Sequence, residues 1–370
     1  MKLIVIKNNL KDGLAAVERA SGENLNLPIL KNVLIESQDN NIKLITTNLE
    51  IAVNYSVPGK VVESGKITVP VSVFLNIINN LQNERLNLEK KNQNLEIKTD
   101  NYEAVIQGLP PEEFPIVPKI KNNKEFLEIK TELFKEILGQ VISSAQFSDL
   151  RPELNSVLFS FSLDAFKVVA TDSFRLSERT LPINQLTTNH EQEFKILIPL
   201  KTSQELLRIL KENEILKIYH DQNQVLFTTE RFELISRLVE GVFPEYEAII
   251  PKKFETEIVL NKEEFVNAIK VTSVLGSRVY EVRIKIPENK KNIEIFSADQ
   301  AIGENKYLVP AKIQGKPKEI SFNWRYLLDG LRALKTKSVF LGANEENKPV
   351  LIKSPGETYY FYILMPILKT

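Results

Sequence analysis

Histidine is the side chain most often used to move protons near neutral pH, and this chain of 370 residues has two, His190 and His220. His190 lies in the polar run Thr187 to Glu193, and His220 closes an apolar run beside Asp221. Neither has partners at the spacing of a metal-binding helix such as HExxH, so both read as ordinary surface residues. Cys is absent, which removes thiolate nucleophiles, thiolate metal sites and disulfides, and suits a reducing cytoplasm. No GxxxxGK[ST], GxGxxG or GxSxG occurs, and 13 Gly in the whole chain are few for phosphate-cradling loops. Asp172 and Asp299 recur in similar surroundings, and that similarity marks them as turn residues rather than an acid–base couple. The reading is a non-catalytic protein with no metal and no cofactor.

What remains is charge and exposed apolar surface. Lys plus Arg equals Asp plus Glu at 48 each, whereas a protein that grips nucleic acid by charge alone is basic. Basic residues nevertheless collect on the polar faces of expected helices: Lys11 and Arg19; Lys135; Lys201, Arg208 and Lys211; Lys262 and Lys270; Arg325, Arg332 and Lys335. If the helices share a wall, phosphate backbone is its natural partner. Glu18, Glu136, Glu205 and Asp329 equally support a plain solvated face, and this feature alone leaves both readings open. The helix expected over Val71 to Leu81 has no basic residue, only Asn76, Asn79 and Asn80. Two apolar stretches go beyond ordinary core needs: the C-terminal Ile363-Leu364-Met365-Pro366-Ile367, since chain ends are usually polar, and Phe174 and Leu176 flanking Arg175 beside a turn.

These residues are carried by a repeated unit. From Phe194 to Val239 the chain shows a short apolar strand, a helix with Leu206, Leu207 and Leu210 on one side, and three strand-like runs. The unit or a close variant occurs about six times. Segments starting at Met1, Phe126 and Thr256 each read as strand, polar break and helix, with Asn or Thr as expected caps. Asn48, Asp172 and Asp299 fall at equivalent turns. Stretches rich in Pro and charge separate the segments near residues 122 and 252, which gives three domains, 1–122, 123–252 and 253–370. The expected class is α+β, each domain packing two helices on one face of antiparallel sheets and leaving the other face wet. No apolar run approaches the roughly 20 residues of a membrane span, and the start of the chain is not a signal peptide.

With the repeat in place, the sequence resembles the bacterial sliding clamps, the beta subunits of the replicative DNA polymerase. The resemblance covers the whole chain and rests on Leu27-Pro28-Ile29-Leu30 with Asn32, on Ala170-Thr171-Asp172 followed by Arg175-Leu176, on Glu240-Gly241-Val242-Phe243-Pro244, and on Met365-Pro366. It implies three domains of one fold per subunit, joined head to tail as a homodimeric ring around double-stranded DNA, with helices lining the hole. It also implies a peptide pocket where the replicative polymerase catalytic subunit, the clamp loader, repair polymerases and mismatch-repair proteins dock by linear motifs. Carried over residue by residue, that pocket is Leu154, Thr171, Arg175, Leu176, Pro244, Ile249, Ile363, Leu364, Met365 and Pro366. Ile106, Val274 and Leu275 match the subunit interface. Asn24 and Val71-Ser72-Val73 stand where the family carries basic residues, so Arg151 and Lys201, with Arg208 and Lys211, are the DNA-facing candidates. Phe174 replaces a common His, and the tail runs on to Lys369-Thr370. The expected location is the bacterial cytoplasm, at the nucleoid. A monomeric repeat scaffold that binds peptides without encircling DNA is the alternative.

Overall fold

The computed structural model describes residues 1–39, 41–120, 124–148, 150–276, 280–288 and 291–368. The boundary expected near residue 122 and the tail residues Lys369 and Thr370 lie outside the described residues. Six α-helices of 10 or 11 residues occur among the described residues: α1 (Lys7–Val17), α2 (Val71–Asn80), α3 (Thr131–Val141), α4 (Leu200–Ile209), α5 (Lys262–Thr272) and α6 (Trp324–Ala333). Each continues directly from a strand. No helix is long and apolar enough to cross a membrane among the described residues.

The helix starts differ in how their free N–H groups are satisfied. Asn261 caps α5 by accepting from Glu264 N, and Asn323 caps α6 by accepting from Arg325 N. The cap expected for α1 from Asn8 or Asn9 is not used, because Ile6 holds the N-cap position without a side-chain bond. The first N–H of α1, α3 and α5 instead goes to a carbonyl just before a later strand: Lys7 to Glu84 (2.8 Å), Thr131 to Glu214 (3.0 Å) and Lys262 to Lys337 (2.8 Å). The same bond three times is the repeat written in the backbone.

The chain forms two compact units, one of Met1–Lys135, Leu186–Glu191 and Lys201–Leu238, the other of Glu136–Gln185, Gln192–Leu200 and Val239–Thr370. The middle third of the sequence is therefore divided between them. In the first unit, Phe232–Arg237 pairs antiparallel with Ile51–Val57, and this seam merges strands from two sequence repeats into one nine-stranded sheet among the described residues. A five-stranded sheet beside it in sequence ends at the edge strand Glu103–Ile106. In the second unit, Tyr360–Leu364 pairs with Arg175–Pro182 inside a twelve-stranded sheet. The two seams share one register: Ile235 faces Ala52 in the first, and Ile363 faces Leu176 in the second.

Alternation decides what each strand face meets. Along Tyr360–Leu364, Tyr360, Tyr362 and Leu364 join the cluster formed with Phe265, Ile269, Leu327 and Leu331 of α5 and α6. Full burial of such side chains is worth roughly 1.5–3 kcal/mol each. Gly330 lets α6 approach this strand, since a Cβ there would lie 2.6 Å from Tyr362 Cδ1. Ile363 points to the opposite face, where it packs with Leu158, Leu176, Leu197, Phe243 and Tyr246. The expectation of a wet outer face fails here, because residues 243 and 246 fold back onto the sheet and bury it.

The histidines also differ from the surface residues expected. In the first unit their rings stack at 5.4 Å and 16°, both half-buried. Burial pushes both pKa values below the ordinary 6.5, and for His190 the neighbouring His220 adds to the effect. A depressed pKa means that the unfolded chain takes protons first. The stabilisation is full above about pH 6.5 and is lost as pH falls through the lowered folded values. The urea midpoint of the wild type is expected to fall between pH 7.5 and 5.5, and the double variant His190→Gln/His220→Gln to show a flatter profile over that range.

Candidate functional site

Residues 171–175 form a tight turn whose shape is set by its own side chains. Thr171 Oγ1 donates to Arg175 O at 2.8 Å, and Asp172 Oδ1 accepts from Phe174 N at 3.0 Å and Arg175 N at 2.9 Å. Ser173 takes φ 76°, a left-handed conformation that the Asx turn supports. These bonds leave Phe174 standing out, 58% exposed.

Arg175 then fastens the turn to α6. Its Nε donates to Asp172 Oδ2 at 2.9 Å and its Nη1 to Asp329 Oδ2 at 2.7 Å. Its guanidinium lies 4.1 Å from the centre of the Tyr326 ring, a cation–π contact. Burial opposes its charge, but Tyr362, Asp172 and Asp329 outweigh burial and raise the guanidinium pKa. The C-terminal segment is fixed to the same turn, with Met365 N donating to Phe174 O at 2.8 Å. Between turn, helix and C-terminal segment lies a cavity of about 550 Å³ lined by Phe174, Asn323, Tyr326, Met365, Pro366 and Leu368, among others. A mostly apolar cleft with a few amide groups at its edge has the usual form of a ligand-binding pocket.

A second cavity, of about 650 Å³, lies under residues 241–248 and against Leu158, Lys195 and Leu197. Tyr246 anchors that segment, its hydroxyl donating to the buried Glu178 at 2.7 Å. Burial and the Glu178 carboxylate both push the Tyr246 pKa up, so it stays a donor.

The expected pocket residues divide accordingly. Met365 and Pro366 line the first cavity and Pro244 the second. Thr171 and Arg175 build the turn. Leu154, Leu176, Ile363 and Leu364 are buried at 5% exposure or less and line neither cavity, Ile363 and Leu364 packing on opposite faces of their strand. Ile249 is exposed at 44% and lines neither cavity. The walls missed were Asn323 and Tyr326 on or beside α6. The available signal was Asn323-Trp324-Arg325-Tyr326, which places two aromatic residues at a helix start, both packed partly against the core.

Among the expected DNA-facing residues, three are already engaged. Arg208 donates to Ala15 O at 2.5 Å and Ala16 O at 3.2 Å, and pairs with Glu205. It thereby satisfies carbonyls of the last turn of α1. Lys211 pairs with Asp12 at 2.6 Å. Arg151 pairs with Glu153 at 3.0 Å and donates to Ser173 Oγ at 3.1 Å. Lys201 is exposed on α4. Of the expected interface residues, Val274 is 74% exposed, Leu275 is half-buried and Ile106 is 5% exposed on the edge strand Glu103–Ile106. No cluster of three potential metal ligands occurs among the described residues.

Comparison with known proteins gives consistent matches along the whole chain. Three models of the DNA polymerase III beta subunit match in order: the N-terminal domain over residues 1–118, the central domain over 128–245 and the C-terminal domain over 247–368. The beta sliding clamp of Synechococcus elongatus is 27% identical over 374 aligned positions, covering 99% of both chains. The beta sliding clamp of Staphylococcus aureus is 27% identical, covering 92% of each. Among solved structures, the Bacillus subtilis DNA polymerase sliding clamp superposes with a TM-score of 0.94 at 26% identity, covering 100% of each chain. The Thermotoga maritima DNA polymerase III beta subunit superposes with a TM-score of 0.91 at 25% identity, also over 100% of each.

The turn at residues 171–175 makes a testable claim. Asp172→Ala removes two main-chain bonds and one carboxylate from Arg175, and should cost about 3 kcal/mol, read from urea unfolding. Asp172→Asn keeps the turn bonds and should lose less than half as much.

Proposed function

We propose, from the premise that this chain belongs to the DNA polymerase III beta-subunit family and is a sliding clamp, that two copies close head to tail around duplex DNA. The ring then holds the replicative polymerase by a linear motif docked against Phe174, Tyr326 and Met365. It acts as a processivity factor, and the clamp loader, repair polymerases and mismatch-repair proteins take the same cavity in turn. Work at the bacterial nucleoid follows from that role.

The observation that carries the ring is a strand register with one place unoccupied in the chain. The closing strand of the second sequence repeat lies on residues 51–55, and that of the third lies on residues 175–179. The closing strand of the first repeat, Glu103–Ile106, is a sheet edge. The strand segment equivalent to 51–55 and 175–179 in the third repeat is 303–307, which pairs on one side only among the described residues, with 295–299. Two free edges of matching kind invite pairing, and closure removes both. Transferring the register of Phe232↔Tyr55 through Ser236↔Ile51 sets Glu103 opposite Lys306 of a second copy, Val105 opposite Glu304 and Ile106 opposite Gly303. Val274 and Leu275 supply exposed and half-buried apolar surface for the same junction.

A ring needs little grip. Retention is topological, so a lumen in which Lys201 is exposed, Arg208 and Lys211 are tied to α1 and Arg151 is paired with Glu153 suits sliding better than dense phosphate contacts would. The net charge of zero fits that requirement.

Size measurement checks the closure. The wild type should run as a dimer at micromolar concentration, and a stable monomer would favour the scaffold alternative. Glu103→Lys should cost about 1 kcal/mol at each of two junctions and weaken the dimer about thirtyfold. Glu103→Lys/Lys306→Glu should restore it. Deleting residues 365–370 should abolish binding of a labelled polymerase-tail peptide in fluorescence polarisation while the dimer remains; unchanged binding would refute the pocket.

A further inference from the structure

Residues 47–51 repeat the turn 171–175 bond for bond. Thr47 Oγ1 donates to Ile51 O at 3.0 Å, and Asn48 Oδ1 accepts from Glu50 N at 3.0 Å and Ile51 N at 2.8 Å. Leu49 has φ 76°, the value of Ser173. Arg237 N donates to Glu50 O at 3.0 Å, as Met365 N does to Phe174 O. Glu112-Glu113-Phe114-Pro115-Ile116-Val117-Pro118 aligns with Glu245-Tyr246-Glu247-Ala248-Ile249-Ile250-Pro251, so Ile116 is the counterpart of Ile249. The first unit thus holds its own version of the framework that supports Phe174 and Met365.

That framework encloses a cavity of about 320 Å³ bounded by Leu49, Ile51, Ala52, Ile116, Ile235 and Arg237. Its chemistry differs at several places, among them Glu50, which stands for Phe174 and puts a carboxylate on the rim beside Arg237. Ala52 stands for Leu176 and gives this floor a small side chain. Ile51 stands for Arg175, so the floor has no charge. Arg237 stands for Met365 and puts a cation at the lip. The Arg237–Glu50 pair spans 3.7 Å with both side chains about two-thirds exposed, which makes it weak and leaves the guanidinium available. Ile116 is 95% exposed and Leu49 44%, so the cavity's own apolar residues do not close it.

We propose that this cavity is a second docking site, taking an extended peptide with an aliphatic or aromatic anchor beside a carboxylate. The anchor fills the space over Ala52, and the carboxylate pairs with Arg237. The proposal rests on the reading of the cavity at Phe174 and Met365 as a linear-motif site.

The test uses the full chain with labelled Ile, Ala and Met methyl groups, followed by NMR during titration with Ac-Gly-Leu-Phe-Asp-Gly-NH2 and its Asn analogue. Saturable shifts are expected at Ile51, Ala52 and Ile235. The Asp peptide should bind about tenfold tighter than the Asn peptide, and the surface variant Arg237→Gln should erase that difference. Ala52→Trp should abolish the shifts. Shifts confined to Ile363 and Met365 would overturn the second site and leave the motif reading standing, whereas shifts at neither set would overturn both. Equal affinity for the two peptides, or concentration-dependent shifts without peptide, would also overturn the proposal.

Discussion

The protein depends on one main-chain device: the closing strand of a repeat completes the sheet of the repeat before it. Phe232–Arg237 does this on Ile51–Val57, and Tyr360–Leu364 does it on Arg175–Pro182. A strand edge left bare is a liability, and a chain of such repeats always ends with one bare edge of each kind. The head-to-tail association proposed above is the ordinary rule of this fold applied once more, between chains. The functional surface depends on the same seams, because each fixes a turn against the segment that follows the closing strand. Met365 is held beside Phe174 by the hydrogen bond that follows the second seam.

Much of this was legible in the sequence and some was not. Strand, helix and strands at recurring intervals follow from apolar spacing, and the helix stripes Leu10, Leu14, Val17 and Phe265, Ala268, Ile269 are buried as expected. The Asx turns at Asn48 and Asp172 were readable because the residue type carries the mechanism. Asp299 is weaker: its carboxylate accepts from Ala301 N alone, and the segment relies on a positive φ at Gly303. What periodicity does not reveal is strand order. Nothing in Phe232–Arg237 names Ile51–Val57 as its neighbour, since the two are far apart in sequence and both are simply apolar.

Side-chain pairing was the other limit. Arg208 lies on the polar face of α4 and Lys211 just past its end, and their partners are Ala15, Ala16 and Asp12, far earlier in sequence. Part of the basic helix face is thus structural. Arg175 stands between Phe174 and Leu176 in the sequence, which does not reveal that it is held between two carboxylates and over an aromatic ring. The outer sheet face expected to be wet is covered because Phe243 and Tyr246 fold back on it, and the Tyr246–Glu178 bond and the Lys167–Glu247 pair help hold that segment in place.

The proposed ring holds DNA by topology rather than by affinity. The direct measurement is the dwell time of labelled protein, placed by its loader on a nicked circular duplex, before and after a single cut that makes the duplex linear. The account predicts long retention on the circle and rapid loss once ends exist, at the same salt concentration. Equal dwell on circular and linear duplex would contradict it.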